Sequence, residues 1–321
     1  YPFAPAWLVC AACACALAGE LVRRFWSSRW TAAIGPALAG ALVALLGVRL
    51  DAATLDLARS ARAIARQQVA LGRWAAEALP ANARIGVNDT GAIAYLSGRR
   101  TFDVVGLTTE GEAPYWAAGP GARFEHYEHL GADALPTHLI VYPRWMAMPA
   151  VLGAPLVQAT VRHQTILGAP TMVAYEADWS ALHSGTAPVD PPSGTRVDAL
   201  DVADLGDERA HRYQLGDAQQ GLCVVGTVDG VSDGGRQLRA AERFVLAGGG
   251  PATLVVRLRL QAPVEVRVDE TSVATLEPDP SARDWVERRA SLPASDGPRH
   301  VVVRALGPRR FDAFHYWLYE L

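Results

Sequence analysis

Apolar positions follow three different patterns along the chain. Over residues 6–22 and 31–50 they run almost unbroken, interrupted by Glu20 in the first run and Arg49 at the end of the second. Over residues 51–79 they recur at helical spacing: Leu57, Ala61, Ile64, Leu71, Ala75 and Ala78 share one face, and Arg59, Arg62, Arg66 and Arg73 lie mostly elsewhere. Pro80 ends that helix. Beyond it the pattern breaks into short runs typical of strands. The spacing predicts strands at 85–87, 102–105, 138–142, 157–161 and 172–175. It also predicts helices at 92–96, closed by Gly98, and at 122–130, closed by Gly131, with Thr90 as a helix cap. A proline-rich stretch at 187–194 reads as a linker. After it the pattern is all-β, with strands at 222–228, 243–246, 253–260, 264–268, 285–292, 300–306 and 311–319. Asp229-Gly230 and Asp233-Gly234-Gly235 read as turns between them.

A membrane span takes about 20 apolar residues, so the run at 31–50 is long enough and that at 6–22 is near the limit. Arg23, Arg24, Trp26, Arg29 and Trp30 between them suit a short loop at a membrane face. Two runs in tandem without a cleavage-like site argue against a signal peptide, leaving a buried helical hairpin as the alternative. Charge does not orient the pair, because Arg49, Arg59, Arg62 and Arg66 oppose the three arginines of the loop. The expected class is an α+β multidomain protein. Two transmembrane helices occupy 1–50, a connecting helix and a small α/β domain 51–186, and a jelly-roll-like β-sandwich 195–321. The sequence opens at Tyr1 inside an apolar run, so a longer natural chain is expected.

The net charge of −3 gives no electrostatic footprint for nucleic acid, and no nucleic-acid partner is expected. All 30 basic side chains are arginine. Cys10, Cys13, Cys15 and Cys223 form neither a disulfide framework nor a zinc pattern. His126 and His129 stand one helical turn apart without a third ligand in the local sequence, so a solvated helix face and no metal are expected there. Nucleotide-binding and nucleophile-elbow motifs are absent from the sequence, and Gly248-Gly249-Gly250 reads as a turn.

Four residues stand out as candidate substrate contacts. Asn88 and Asp89 follow the strand at 85–87, and ligands of open α/β sheets collect at carboxyl ends of strands. An Asx-turn is the competing reading for Asp89. Arg100, with Arg99 and Asp103, could meet a phosphate or a partner surface, or form a local ion pair worth ~0–1 kcal/mol. Trp317 belongs to an aromatic strand in which Phe314, Tyr316 and Leu318 face opposite to His315, Trp317 and Tyr319. One set fills the core; the other either packs on the α/β domain or offers a stacking platform to sugar rings.

Several pieces of the α/β segment belong to a recognisable set. They are Asn88-Asp89-x-Gly91-Ala92-Ile93-Ala94-Tyr95, Ser97-Gly98-Arg99-Arg100, Asp103-x-x-Gly106-Leu107, Phe124-Glu125-His126 and Leu139-Ile140-Val141-Tyr142-Pro143-x-Trp145. As a set they resemble the extracytoplasmic segment of bacterial GT-C type integral membrane glycosyltransferases, relatives of protein mannosyltransferases and aminoarabinose transferases. The resemblance implies the C-terminal part of an inner-membrane enzyme with its soluble domains outside the cytoplasm. Such an enzyme moves a sugar from a polyprenyl-phosphate donor to a glycan acceptor. Its catalytic carboxylate would lie in an early loop, so no catalytic residue is assigned in this chain. The resemblance implies no cofactor for this part of the protein and a divalent cation as an option for a full enzyme. Its partners would be the lipid bilayer, the polyprenyl-phosphate sugar and the acceptor. A membrane-tethered carbohydrate-binding protein and a purely structural module remain alternatives.

Overall fold

The computed structural model describes residues 4–25, 33–163, 166–216 and 221–320. Trp26, Arg29 and Trp30 of the expected membrane-face loop lie outside them. The chain divides into two compact units, Tyr1–Ala65 with His163–Leu167, and Arg66–Arg162 with Gly168–Leu321.

The first unit is built on α1 (Ala4–Phe25) and α2 (Ile34–Ile64). Both are long and apolar enough to cross a membrane, and their apolar side chains are bare: Trp7 is 74 %, Val48 79 % and Phe25 82 % exposed. Helix α2 runs through the expected boundary at residue 50 without a break. Glycines bring the two backbones together, since a Cβ on Gly19 would stand 3.1 Å from the Gly35 Cα. Small residues at such a crossing are how apolar helices associate where no hydrophobic driving force acts between them.

The second unit begins within a π-helical turn, Ala65–Val69, and continues in α3 (Ala70–Ala78). There follow β1 (Arg84–Val87), α4 (Gly91–Ser97), β2 (Arg100–Asp103), α5 (Ala113–Ala118), α6 (Pro120–Glu128), β3 (His138–Val141), α7 (Pro143–Met146), β4 (Leu152–Thr160) and β5 (Thr171–Ala177). The sheet order is β2-β1-β3-β5-β4, with β1 parallel to β2 and β3, and β5 antiparallel to β3 and β4. Alternation along β3 and just beyond sorts its side chains. Ile140 and Tyr142 join Leu71, Ala75 and Ile93 on one face; Leu139 and Val141 join Phe124, Tyr127 and Met146 on the other. Gly98 closes α4 in the left-handed region at φ 61°, as the sequence implied. Thr90 occupies the cap position without a capping hydrogen bond, because its backbone is already helical.

The rest of the unit is a β-sandwich. Its elements are β6 (Thr195–Asp201), α8 (Leu205–Ala210), β7 (Gln214–Leu215), β8 (Cys223–Val228), β9 (Val231–Leu238), β10 (Ala241–Leu246), β11 (Ala252–Leu260), β12 (Val264–Val268), β13 (Thr271–Leu276), β14 (Val286–Leu292), β15 (Arg299–Ala305) and β16 (Phe311–Glu320). One sheet has the order β13-β12-β15-β10-β7 and the other β14-β11-β16-β9-β8, with β6 also paired to β16. Leu254, Val256 and Leu258 of β11 and Tyr316 and Leu318 of β16 share one core with Val264, Val266, Val301 and Val303 of the facing sheet. Asp229 (φ 50°) and Gly230 (φ 88°) make the tight turn between β8 and β9 that the sequence signalled.

Asp233-Gly234-Gly235 is not the expected turn. It lies inside β9, where Gly234 makes room for α6 and Gly235 for Ala313 and Phe314 of β16. A Cβ on Gly234 would meet the Gly121 carbonyl oxygen at 2.8 Å, and one on Gly121 would run into the Val224 backbone. The α/β sheet and the sandwich are thereby joined backbone to backbone. Gly121→Ala is expected to overpack this seam by about 1–3 kcal/mol, lowering the melting temperature by roughly 3–10 °C in a thermal scan of the detergent-solubilised chain.

Glu242 is fully buried between two phenols: Tyr213 donates to Oε2 at 2.6 Å and Tyr316 donates to Oε1. Desolvation pushes its carboxyl up from 4.5 to about 7, against the lowering effect of those two hydrogen bonds. Because the folded value is the higher one, its stability contribution is complete below pH 4.5 and is lost as pH rises to about 7. The span corresponds to on the order of 3 kcal/mol. Melting curves from pH 4 to 8 should show this decline in the parent chain and a flatter profile in Glu242→Gln.

Candidate functional site

The crevice where the parallel strand order reverses lies between β1 and β3, and Asn88 and Asp89 do reach it. Two glutamines from the π-helical turn fill it. Asn88 Oδ1 accepts from the Tyr142 amide at 3.4 Å, Asp89 accepts from Gln68, and the Tyr142 hydroxyl donates to Gln67 Oε1 at 2.8 Å. Gln67 also donates to the Pro170 carbonyl at 2.9 Å. Burial pushes the half-buried Asp89 carboxyl up, partly offset by the Gly91 amide. Both residues brace the end of the sheet.

Arg100 does not converge with them. It starts β2 in register with Arg84, at the amino end of the parallel strands, about 13 Å along the strand from the level of Asn88. Arg99 caps α3 through the Ala76 and Leu79 carbonyls at 2.8 and 2.9 Å. Asp103 accepts from the amides of Val105 and Thr108 at 2.9 and 2.8 Å, holding the loop after β2.

Trp317 is a correction to the stacking-platform reading. It is fully buried, donates to the Thr186 carbonyl at 3.3 Å, and carries the Arg257 guanidinium 4.7 Å over its ring. Strand β16 is covered on both faces, so the ring has no side left for a sugar. Arg257 is itself fully buried, 4.3 Å over the Trp285 ring, and bonded to Asp233, to Glu287 at 2.7 Å and to the Gly185 and Ala187 carbonyls at 2.8 and 3.0 Å.

Functional-looking chemistry gathers instead in a cleft of about 880 Å³ between α5–α6 and β6–α8. One wall is a stacked pair, Tyr115 on His126, with centroids 3.8 Å apart and planes at 8°. His126 is held from behind by Glu112 at 2.8 Å. His129, on the exposed face of α6, meets Asp204 at 2.6 Å. Asp204 also caps α8, accepting from the amides of Gly206 and Asp207 at 2.7 and 3.1 Å. Burial alone would raise its carboxyl, but His129 and the two amides outweigh it and hold the group below its ordinary value. His211 lies between Asp198 and Asp207, 3.2 Å from each carboxylate. The Asp207 hydrogen bond is the main cause that pushes its imidazole up to about 9, so a cation clamps these two cleft acids at neutral pH.

His315 and Asp201 lie in the floor. Behind them are Glu125, whose Oε1 accepts from the Gly234 amide at 2.5 Å, and Asp233. Asp201 shows one fifth of its side chain to the cleft and is otherwise enclosed. Desolvation raises both Glu125 and Asp201 well above the usual carboxylate range, and the nearby acids raise each further. Glu125 thus departs from the solvated helix face expected for its stretch: α6 turns it inward to the seam while His129 stays outside.

The sequence did carry a signal for this cleft. Asp198, Asp201, Asp204 and Asp207 recur at every third position, just after the linker. Strand, loop and helix then convert that spacing into one acidic wall.

A family model described as a domain of unknown function (DUF8728) matches residues 61–199. No curated protein matches the chain. Among solved structures, a family 35 carbohydrate-binding module from an environmental isolate aligns at 16 % identity and a TM-score of 0.23, over 25 % of this chain and 65 % of that one. A family 35 module from Paenibacillus barcinonensis aligns at 14 % identity and 0.26, over 34 % of this chain and 93 % of that one. A family 6 module from Clostridium cellulolyticum, solved in complex with xylose, aligns at 13 % and 0.26, over 38 % and 96 %. The sandwich here is defined by its own strand pairing.

Arg257 holds the floor of the cleft through Asp233. Arg257→Met would leave Asp233 and Glu287 buried without their cation, at a cost of about 3–5 kcal/mol. Denaturation of the solubilised chain should show that loss, and Glu287→Gln added to Arg257→Met should restore part of it.

Proposed function

We propose that the chain is a membrane-tethered carbohydrate-binding protein and that the cleft between α5–α6 and β6–α8 holds a glycan. The observation that carries the reading is the pairing of a ring stack, Tyr115 on His126, with carboxylates already fixed in position by His129 and His211. A sugar ring has an apolar C–H face and a rim of hydroxyls. The face suits an aromatic wall, and hydroxyls donate well to oriented carboxylates. Arg196 and Arg209 add donors to the lining. The two apolar helices supply the tether. On the glycosyltransferase resemblance, that tether sits in a bacterial inner membrane with the cleft outside the cytoplasm.

The chain in lipid nanodiscs, screened on a glycan array and then titrated calorimetrically with the sugars retained, tests this. Tyr115→Ala and Asp204→Asn are each expected to weaken binding about tenfold or more. Tyr95→Ala, at an exposed position on α4, should leave it unchanged. Absence of any retained glycan, or indifference to both cleft substitutions, would reject the reading.

The tandem apolar helices ahead of the α/β sheet favour one second reading, the C-terminal portion of a polyprenyl-phosphate-dependent glycosyltransferase whose cleft meets the acceptor. It requires further apolar spans and an acidic first loop encoded upstream of Tyr1, which sequencing of the natural reading frame would reveal or deny.

A further inference from the structure

Three donor groups in and just behind the cleft floor converge: one ligand atom each of His315, Asp201 and Asp233 lie within 4.8 Å of one another. His315 Nδ1 stands 3.8 Å from Asp201 Oδ1 and 3.9 Å from Asp233 Oδ2. His315 is 95 % buried, and its Nδ1 has no hydrogen-bond partner; neither has Asp201 Oδ1. Buried polar atoms are ordinarily satisfied, and here two from different strands are orphaned toward the same point. We propose that Asp201, Asp233 and His315 form a binding site for a divalent transition-metal ion of the zinc class.

The donor set favours such an ion over calcium or magnesium, which take oxygen ligands almost exclusively. Two ligands each ~2.1 Å from a zinc ion stand ~3.4 Å apart at the tetrahedral angle. The two His315–carboxylate separations, 3.8 and 3.9 Å, exceed that by about half an ångström, a gap that side-chain rotation can close. The supporting groups are in place as well. His315 is locked by stacking on Trp317, centroids 4.2 Å apart and planes at 8°. Asp233 is oriented by Arg257, whose charge Glu287 also balances. Asp233 Oδ2 accepts from Arg257, and a carboxylate oxygen has a second lone pair for an ion. Asp201 and His315 both line the cleft, so the fourth position would open into it, the arrangement of a metal that meets a ligand or water. The site stands whether or not the cleft takes a glycan.

The test uses the tag-free chain in detergent, stripped with EDTA and dialysed against equal micromolar zinc, manganese and calcium. Elemental analysis should find about one zinc per chain, and zinc should raise the melting temperature by several degrees. His315→Ala and the near-isosteric Asp201→Asn should each reduce zinc to the buffer background. His129→Ala should retain it, because His129 pairs with Asp204 and not with this cluster. Should His315→Ala fail to fold, Asp201→Asn and the stoichiometry of the parent chain decide. No zinc in the parent chain, retention in Asp201→Asn, or loss only in His129→Ala would each overturn the site.

Discussion

Backbone-to-backbone contact between α6 and the β8–β9 hairpin is the constraint on which the second unit rests. Gly121 and Gly234 remove the side chains that would keep helix and strand apart, and the Gly234 amide donates to Glu125 across the junction. That one placement fixes three things. It covers the bare backbone of β9, buries Glu125 beside Asp201 and Asp233, and turns His126 and His129 outward into the cleft. A helix carried at an ordinary separation would leave Glu125 in water and the cleft without one wall.

The charges behind the cleft are organised by burial as much as by pairing. Arg257 is held between two tryptophans and answers Asp233 and Glu287. Glu125 and Asp201 face each other, and desolvation drives both toward the protonated form. Asp204 and His211 behave in the opposite sense, because hydrogen bonds outweigh burial and keep them charged. Across a short distance the structure therefore separates acids stabilised as anions at the wall from acids pressed toward neutrality at the floor.

Local pattern made much of the fold legible. The alternation in β11 and β16, the Asp229-Gly230 turn and the left-handed Gly98 are each encoded within a few residues, and each stands where the pattern put it. What failed to read depends on contacts distant in sequence. Asp233-Gly234-Gly235 has turn composition, yet Gly234 serves a helix more than a hundred positions earlier in the sequence and Gly235 the much later strand β16. Trp317 was left between packing and a sugar platform because alternation assigns a face but not what covers it, and the cover is the stretch around Gly185–Ala187. Asp89 was rightly placed at a strand end, but the glutamines that fill its crevice come from a helix upstream. The triplet spacing of Asp198 to Asp207 was readable and carried the cleft; a strand followed by a helix hides such a period from either template alone.

Strand β16 has one edge on β11 and the other shared between β9 and β6. The segment matched by the domain-of-unknown-function family runs past the linker and ends within β6. The stretch before β6 offers no clean dividing line either: the Ala187 carbonyl accepts from Arg257 and the Val189 amide donates to Glu287. A cut at the end of the matched segment would strip most of β6 from β16 and leave an unpaired strand edge, a template for misassociation. The sheet and the sandwich are therefore expected to fold as one piece rather than as two separable modules.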